Sequence, residues 1–170
     1  MLNKKELEIK PLTKKYYDDN LKLLNSVIKE SHFLARRHKI SYEESLQFID
    51  TYFKHPNTIY LVALHKQKLV GHISSLPRLE DLLDHIVNIG YLVHPNYRKK
   101  GVASSLMEKL IFAAKQTNSI KIMVAEVAAD NNASINLLKK YGFKEFGRLI
   151  NGFKIIDENF VDLLYFSIYL

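Results

Sequence analysis

Arg98, Gly101 and Ala103 sit between two patterned stretches, and their types and spacing suit phosphate binding. The run before them, Ile86 to Val93, is apolar, of strand length and rich in Ile and Val. His94-Pro95-Asn96 reads as a turn. From Val102 the apolar residues Leu106, Leu110 and Ala114 recur at helical spacing, with Met107 and Ile111 beside them. The reading is strand, basic turn with a glycine, helix. The first turn of a helix carries unpaired N–H groups and roughly half a positive charge, which attracts phosphate. Gly101 and Ala103 let a diphosphate approach the backbone, and Arg98, Lys99 and Lys100 add long-range attraction. Taken locally, the same residues also make an ordinary strand–loop–helix connection with a solvated basic loop.

Two further residues could work on protons or cap a helix. Glu126 stands near the end of an otherwise apolar run, Ile120 to Val127, where a buried carboxylate is costly and becomes a candidate for a raised pKa and general-base work. Its plainer reading is a strand-end glutamate that reaches solvent or pairs with a lysine. Asn131, or Asp130 before it, is a good N-cap for the helical stretch that follows.

Two motifs carry a family resemblance. Arg98-x-x-Gly101-x-Ala103 resembles the Q/R-x-x-G-x-G/A element of the GNAT superfamily of N-acetyltransferases. Asn131-x-x-Ser134-Ile135-Asn136-Leu137-Leu138-Lys139-Lys140-Tyr141-Gly142-Phe143 resembles that family's N-x-x-A-I-x-L-Y-x-K-x-G-F signature. They stand in the family's order, about thirty residues apart. The first departs from the Walker pattern and lacks the first two glycines of a dinucleotide fingerprint. The resemblance covers nearly the whole chain, most specifically Ile86 to Phe143. Before Thr58 it extends only to helical character, and in this family that region helps shape the acceptor pocket.

The resemblance implies an acetyl-CoA-dependent N-acetyltransferase that moves an acetyl group directly to a primary amine in a ternary complex, without a metal. It assigns the pyrophosphate to the backbone of Lys99, Lys100, Gly101, Val102, Ala103 and Ser104, after Arg98. It places the pantetheine arm beside Tyr91, Leu92 and Val93, where backbone amides aimed at the thioester oxygen act as an oxyanion hole, and it gives Asn131 a contact with the same arm. An alkylamine with a pKa near 10.4 costs about 4.6 kcal/mol to deprotonate at pH 7, and an α-amine near 7.8 only about 1. Several family members carry a base at the position of Glu126, usually acting through water. Leu138 stands where the signature has Tyr and cannot protonate the leaving thiolate. Tyr141, Tyr165 or water must then do so, and Tyr141 also reads as an aromatic packing against Phe143. The acceptor is an amino acid, polyamine, small amine drug or protein N-terminus; a different reading is a cofactor-binding regulatory or interaction module with little turnover.

The elements that must position these residues follow from pattern. Glu6 to Leu12 reads as a strand, Thr13 as a helix cap, and Tyr17, Leu21, Leu24 and Ile28 as a helical stripe. Ser41 with Glu44 forms a capping box opening a helix with the stripe Tyr42, Leu46, Ile49 and Phe53. Thr58 to Leu64 and Lys68 to Leu76 make a hairpin. After the central helix come a strand, a helix from Asp130 to Tyr141, and a closing antiparallel pair, Phe143 to Asn151 and Asp157 to Tyr169. The order is β-α-α-β-β-β-α-β-α-β-β: one mixed α/β domain over residues 1–170, with about seven strands and four helices in a GNAT-like fold.

Composition agrees with that reading and excludes others. The chain has 170 residues, 47% hydrophobic and 11% aromatic, enough for a real core. Zero cysteines exclude disulfides, thiolate catalysis and Cys-bound zinc and fit a cytoplasmic protein. The charged start, MLNKKELEIK, has no apolar core region of a signal peptide, and no run reaches the length of a membrane span. The formal charge of +7 is scattered, without a Lys/Arg-rich tract or aromatic-basic RNA motif, so no nucleic-acid partner is expected. His32 and His38, and His65 and His72, lack metal-ligand spacing, and His94 reads as a structural turn residue. The expected partners are acetyl-CoA and an amine, no membrane, and a homodimer is compatible with the chain.

Overall fold

The computed structural model describes residues 6–31, 33–155 and 159–170. His32 and Asp157, the expected start of the last strand, lie outside them. Strands β1 (Leu7–Pro11), β2 (Ile59–His65), β3 (Lys68–Pro77), β4 (Ile86–Val93), β5 (Ile122–Ala128), β6 (Lys144–Lys154) and β7 (Phe160–Tyr169) form a mixed sheet in the order β1-β2-β3-β4-β5-β7-β6. The helices are α1 (Tyr17–Glu30), α2 (Tyr42–Tyr52), α3 (Val102–Thr117) and α4 (Asn132–Lys140). The element order is the one the sequence pattern predicts.

Local chemistry explains most boundaries. The β2–β3 turn is Lys66-Gln67 with φ of 49° and 65°, the left-handed pair whose twist matches a two-residue hairpin. Ser41 opens α2 with both capping-box bonds: Glu44 N–H donates to Ser41 Oγ, and Ser41 N–H donates to the Glu44 carboxylate. Thr13 differs from expectation. Its side chain makes no capping bond, because a short 3-10 turn, Lys14–Tyr16, precedes α1 and carries Tyr16 into the core.

The sheet is covered on both faces. On one side Val102, Leu106, Met107, Leu110 and Ala114 of α3 and Leu138 of α4 are buried against alternate sheet residues, among them Ile73, Val87, Met123 and Phe166. On the other, Leu23 and Val27 of α1 pack on Val62, Leu64 and Leu92. Helix α2 buries none of its residues; Tyr42, Leu46 and Phe48 are exposed. Of its expected stripe, Ile49 faces a cleft together with Phe48, Phe53 at the C-cap packs on Tyr17 and Tyr60, and Tyr42 and Leu46 stay exposed.

One interruption in the sheet matters most. β4 and β5, the parallel pair, match only at Ile86↔Ile122, Val87↔Met123 and Asn88↔Val124. β4 stays paired to β3 as far as Val93, and β5 to β7 as far as Ala128. From Ile89 onward the two strands diverge, so one edge of β4 has backbone N–H and C=O groups without a strand partner.

Candidate active site

The gap between β4 and β5 ends at the start of α3. Gly101 is the N-cap of α3 with φ of +91°, and Lys99 two residues earlier has φ of 56°. A left-handed glycine here turns successive N–H groups the same way, the arrangement that binds anions. A Cβ built on Gly101 would meet no atom within 4 Å. No side chain caps α3 and no acidic residue sits in its first turn, so its N–H groups and positive end are open.

Two of the three cations before Gly101 have protein partners of their own. Arg98 donates to both carboxylate oxygens of Glu30 at the end of α1, at 3.0 and 2.8 Å, and through Nε to the Val93 carbonyl at 3.2 Å. Its guanidinium straps the turn to β4 and α1; this corrects the reading of Arg98 as a loose source of attraction for phosphate. Lys100 Nζ donates to the Asn96 carbonyl at 2.8 Å and lies over the Tyr97 ring. His94 Nδ1 accepts from Asn96 N–H, the expected turn role.

Asn131 caps α4, its Oδ1 accepting from Ser134 N–H at 3.2 Å. Tyr91 reaches from β4 beside that first turn. Its hydroxyl is buried next to the Ser134 side chain without hydrogen-bonding geometry, and burial pushes its pKa up. The Tyr141 hydroxyl donates to the Ser104 carbonyl at 2.8 Å, and Lys140 Nζ donates to Ser104 Oγ at 3.3 Å. Both tie α4 to the first turn of α3. Tyr141 therefore acts as a tie between helices, and its proton is engaged, which corrects its reading as a free acid. Leu138 is fully buried. Leu138→Tyr should lower stability by about 1–3 kcal/mol, the usual cost of overpacking, instead of restoring an acid. Urea unfolding reads this, and undiminished stability would mean that the site has room.

Glu126 is exposed, so the burial expected of its carboxylate is absent. Its neighbours Ala125 and Val127 belong to the core under α3, which puts Glu126 on the opposite sheet face. Across β5–β7 it stands opposite Tyr165, and Val124 on the same face pairs with Asn88 of β4. Of the two tyrosines considered as donors, Tyr165 is the one beside Glu126.

The same face holds a cavity of about 340 Å³ between α1, α2 and the sheet. Its walls are mostly apolar, with Leu21, Leu24, Leu34, Ile40, Phe48 and Ile49 among them, and its floor reaches Gly90, Tyr91 and Leu92 of β4. Asn20, Tyr60, His72 and Ser74 also line it, a polar set that the sequence reading passed over. The hairpin alone would not have found it: carried on from the two-residue turn, the pairing would set Tyr60 opposite Ile73, and the β-bulge between Ala63 and Leu64 shifts it to Tyr60↔Ser74 and Val62↔His72, which puts Tyr60 and His72 on one face, two rungs apart.

Comparison with known proteins agrees with this geometry. The model of the acetyltransferase (GNAT) family matches residues 23–143. The chain belongs to this family. An N-alpha-acetyltransferase from Sulfurisphaera tokodaii is 31% identical over 108 residues, 58% of this chain and 64% of that protein. The L-amino acid N-acetyltransferase AaaT of Escherichia coli is 29% identical over 89 residues, 52% of this chain and 55% of that protein. The chain thus spans less than two thirds of either curated relative. A GNAT-family acetyltransferase from Streptococcus pneumoniae superposes with a TM-score of 0.91 at 23% identity, covering 97% of this chain and all of that one. Salmonella typhimurium yncA, solved with its cofactor acetyl-CoA, gives 0.87 at 20%, covering 97% and 94%. At these identities the structures establish the GNAT fold. No helix among the described residues is long and apolar enough to cross a membrane.

Proposed function

We propose that the protein, as a single cytoplasmic domain, transfers an acetyl group from acetyl-CoA to a primary amine by direct attack in a ternary complex, without a metal. The observation that carries this reading is the divergence of β4 and β5 after Asn88, which leaves β4 backbone groups open beside an uncapped α3 N-terminus. Backbone N–H groups from Lys99 to Ser104 would hold the diphosphate, with Lys100 nearby. The free edge of β4 at Tyr91, Leu92 and Val93 would pair with the pantetheine arm and polarise the thioester carbonyl, and Asn131 would flank the arm while capping α4.

The acceptor comes from the opposite sheet face through the apolar cavity. Its lining suits a primary amine with an uncharged, apolar substituent and disfavours a polyamine, whose further charges would be desolvated there. Arg36 and Glu44, a 3.7 Å ion pair with both side chains half exposed, mark its rim. The amine nitrogen attacks the carbonyl carbon, the C–S bond breaks, and the nitrogen proton leaves to water that Glu126 can order and accept from. The thiolate takes its proton from solvent or from Tyr165.

Thiol release across a panel of primary amines, with acetyl-CoA affinity measured by calorimetry, tests the reading. Apolar amines should release thiol fastest. Glu126→Gln should lower the rate at limiting amine by roughly 10² without changing acetyl-CoA affinity; an unchanged rate would leave Glu126 a surface strand residue. Acetyl-CoA binding without thiol release from any amine would favour the alternative of a binding module, consistent with the loss of the family's Tyr at Leu138.

A further inference from the structure

The cavity floor carries a hydrogen-bonded trio that the reaction as described leaves unused. His72 Nδ1 on β3 lies 2.6 Å from Asn20 Oδ1 on α1 and 3.2 Å from the Tyr60 hydroxyl on β2, while Asn20 Nδ2 donates to that hydroxyl at 3.1 Å. An amide oxygen only accepts, so Nδ1 carries the hydrogen. In a neutral imidazole the other nitrogen, Nε2, is then a bare lone pair. Nε2 has no hydrogen-bond partner among the described residues, and it is not one of the fully buried unpartnered atoms, which are Ser75 Oγ and the Tyr91 hydroxyl. The ring lines the cavity, so the lone pair opens into it. Burial keeps the ring neutral, pushing its pKa down to about 4. The other titratable groups of the cavity are Tyr17, Tyr60, Tyr91, Arg36 and Glu44, the last two paired at the rim.

Strand register decides what this lone pair faces. His72 stands opposite Leu92, and Ser74 opposite Gly90, on neighbouring strands and the same face. Side chains so opposed have Cβ atoms about 4.5–5.5 Å apart. Leu92 is where the thioester is placed under the proposed function, so His72 is one strand away from it.

We propose that His72 Nε2 accepts an N–H of the acceptor amine and so turns the nitrogen lone pair toward the thioester, with Asn20 as the positioning residue that fixes the imidazole tautomer. This rests on the acetyltransferase reading above. His72 is a hydrogen-bond acceptor and not the final base, because the cavity that keeps the ring neutral makes an imidazolium costly; the proton continues to water.

The test uses 15N NMR of the wild-type protein with coenzyme A, before and after adding an amine. The probe is the panel amine with the fastest thiol release, or 2-phenylethylamine if none releases thiol. The expected result is a pyrrole-type Nδ1 and a pyridine-type Nε2 whose resonance moves when the amine binds. His72→Leu should raise the amine KM at least about tenfold with acetyl-CoA affinity unchanged, and His72→Gln, which can still offer an acceptor, should recover most of the loss. Asn20→Leu should weaken the amine less and mix the tautomers. A pyrrole-type Nε2, a resonance that ignores bound amine, or a wild-type amine KM in His72→Leu overturns the inference, and in a protein that turns over amines it does so while leaving the acetyltransferase reading intact. Absence of both acetyl-CoA binding and thiol release sinks that reading instead. The spectrum of the wild type decides the matter even if the variants do not fold.

Discussion

Gly101→Asp should weaken acetyl-CoA binding by at least about tenfold, with the fold retained. The cause is local. A Cβ at this position points into open space, so nothing in the protein is displaced, and the added carboxylate lies where the diphosphate would approach the α3 N-terminus. A like charge close to the diphosphate is worth on the order of 1 kcal/mol or more at a partly solvated surface, and obstructed access to the N–H groups adds to it; 1.4 kcal/mol is already tenfold. The backbone contributes separately. With φ at +91°, any side chain costs about 1–2 kcal/mol, aspartate less than most. Gly101→Ala carries that strain without the charge, so calorimetry on both variants separates the two. Affinity unchanged in a folded Gly101→Asp protein would place the phosphate elsewhere.

The turn that this test targets was legible because its signals are local. A strand-length apolar run, a glycine and a helical stripe each speak for themselves, and their sum located the β4–α3 junction. The capping box at Ser41 and the Lys66-Gln67 hairpin were legible for the same reason. What escaped the pattern depends on long-range partners. Arg98 reads as a free cation until Glu30, sixty-eight residues earlier, is found beside it. Glu126 looks buried in an apolar run, yet alternation along β5 turns it outward while Ala125 and Val127 fill the core. The stripe of α2 has the period of a packed helix, but period alone does not say that Ile49 faces a cleft and Phe53 the core while Tyr42 and Leu46 stay exposed. The trio of Asn20, Tyr60 and His72 is assembled from three elements, with a tautomer set by an amide forty or more residues from either partner.

That trio also leaves a mark on stability, which should fall by about 2 kcal/mol between pH 7 and pH 5 through His72 alone. Its pKa is pushed from the ordinary 6.5 down to about 4 by burial. Between those values the unfolded chain holds a proton that the folded protein does not, so protons favour unfolding. The contribution is fully present above about pH 7, shrinks as pH falls through the histidine's unfolded pKa, and stops changing below its folded pKa, for a total of about 3 kcal/mol. Tyr60 does not share in this window, since burial pushes its pKa up to about 12 and it stays neutral throughout. Carboxylates elsewhere also take up protons in acid, so the diagnostic is a difference. Urea unfolding of the wild type and of His72→Gln at both pH values should show the variant losing about 2 kcal/mol less on acidification. The variant is expected to start lower at pH 7, because the amide cannot reproduce both the ring packing and the bond to Asn20. Parallel pH dependence in the two proteins would mean that the imidazole is protonated where it sits, and the neutral lone pair at the cavity floor would go with it.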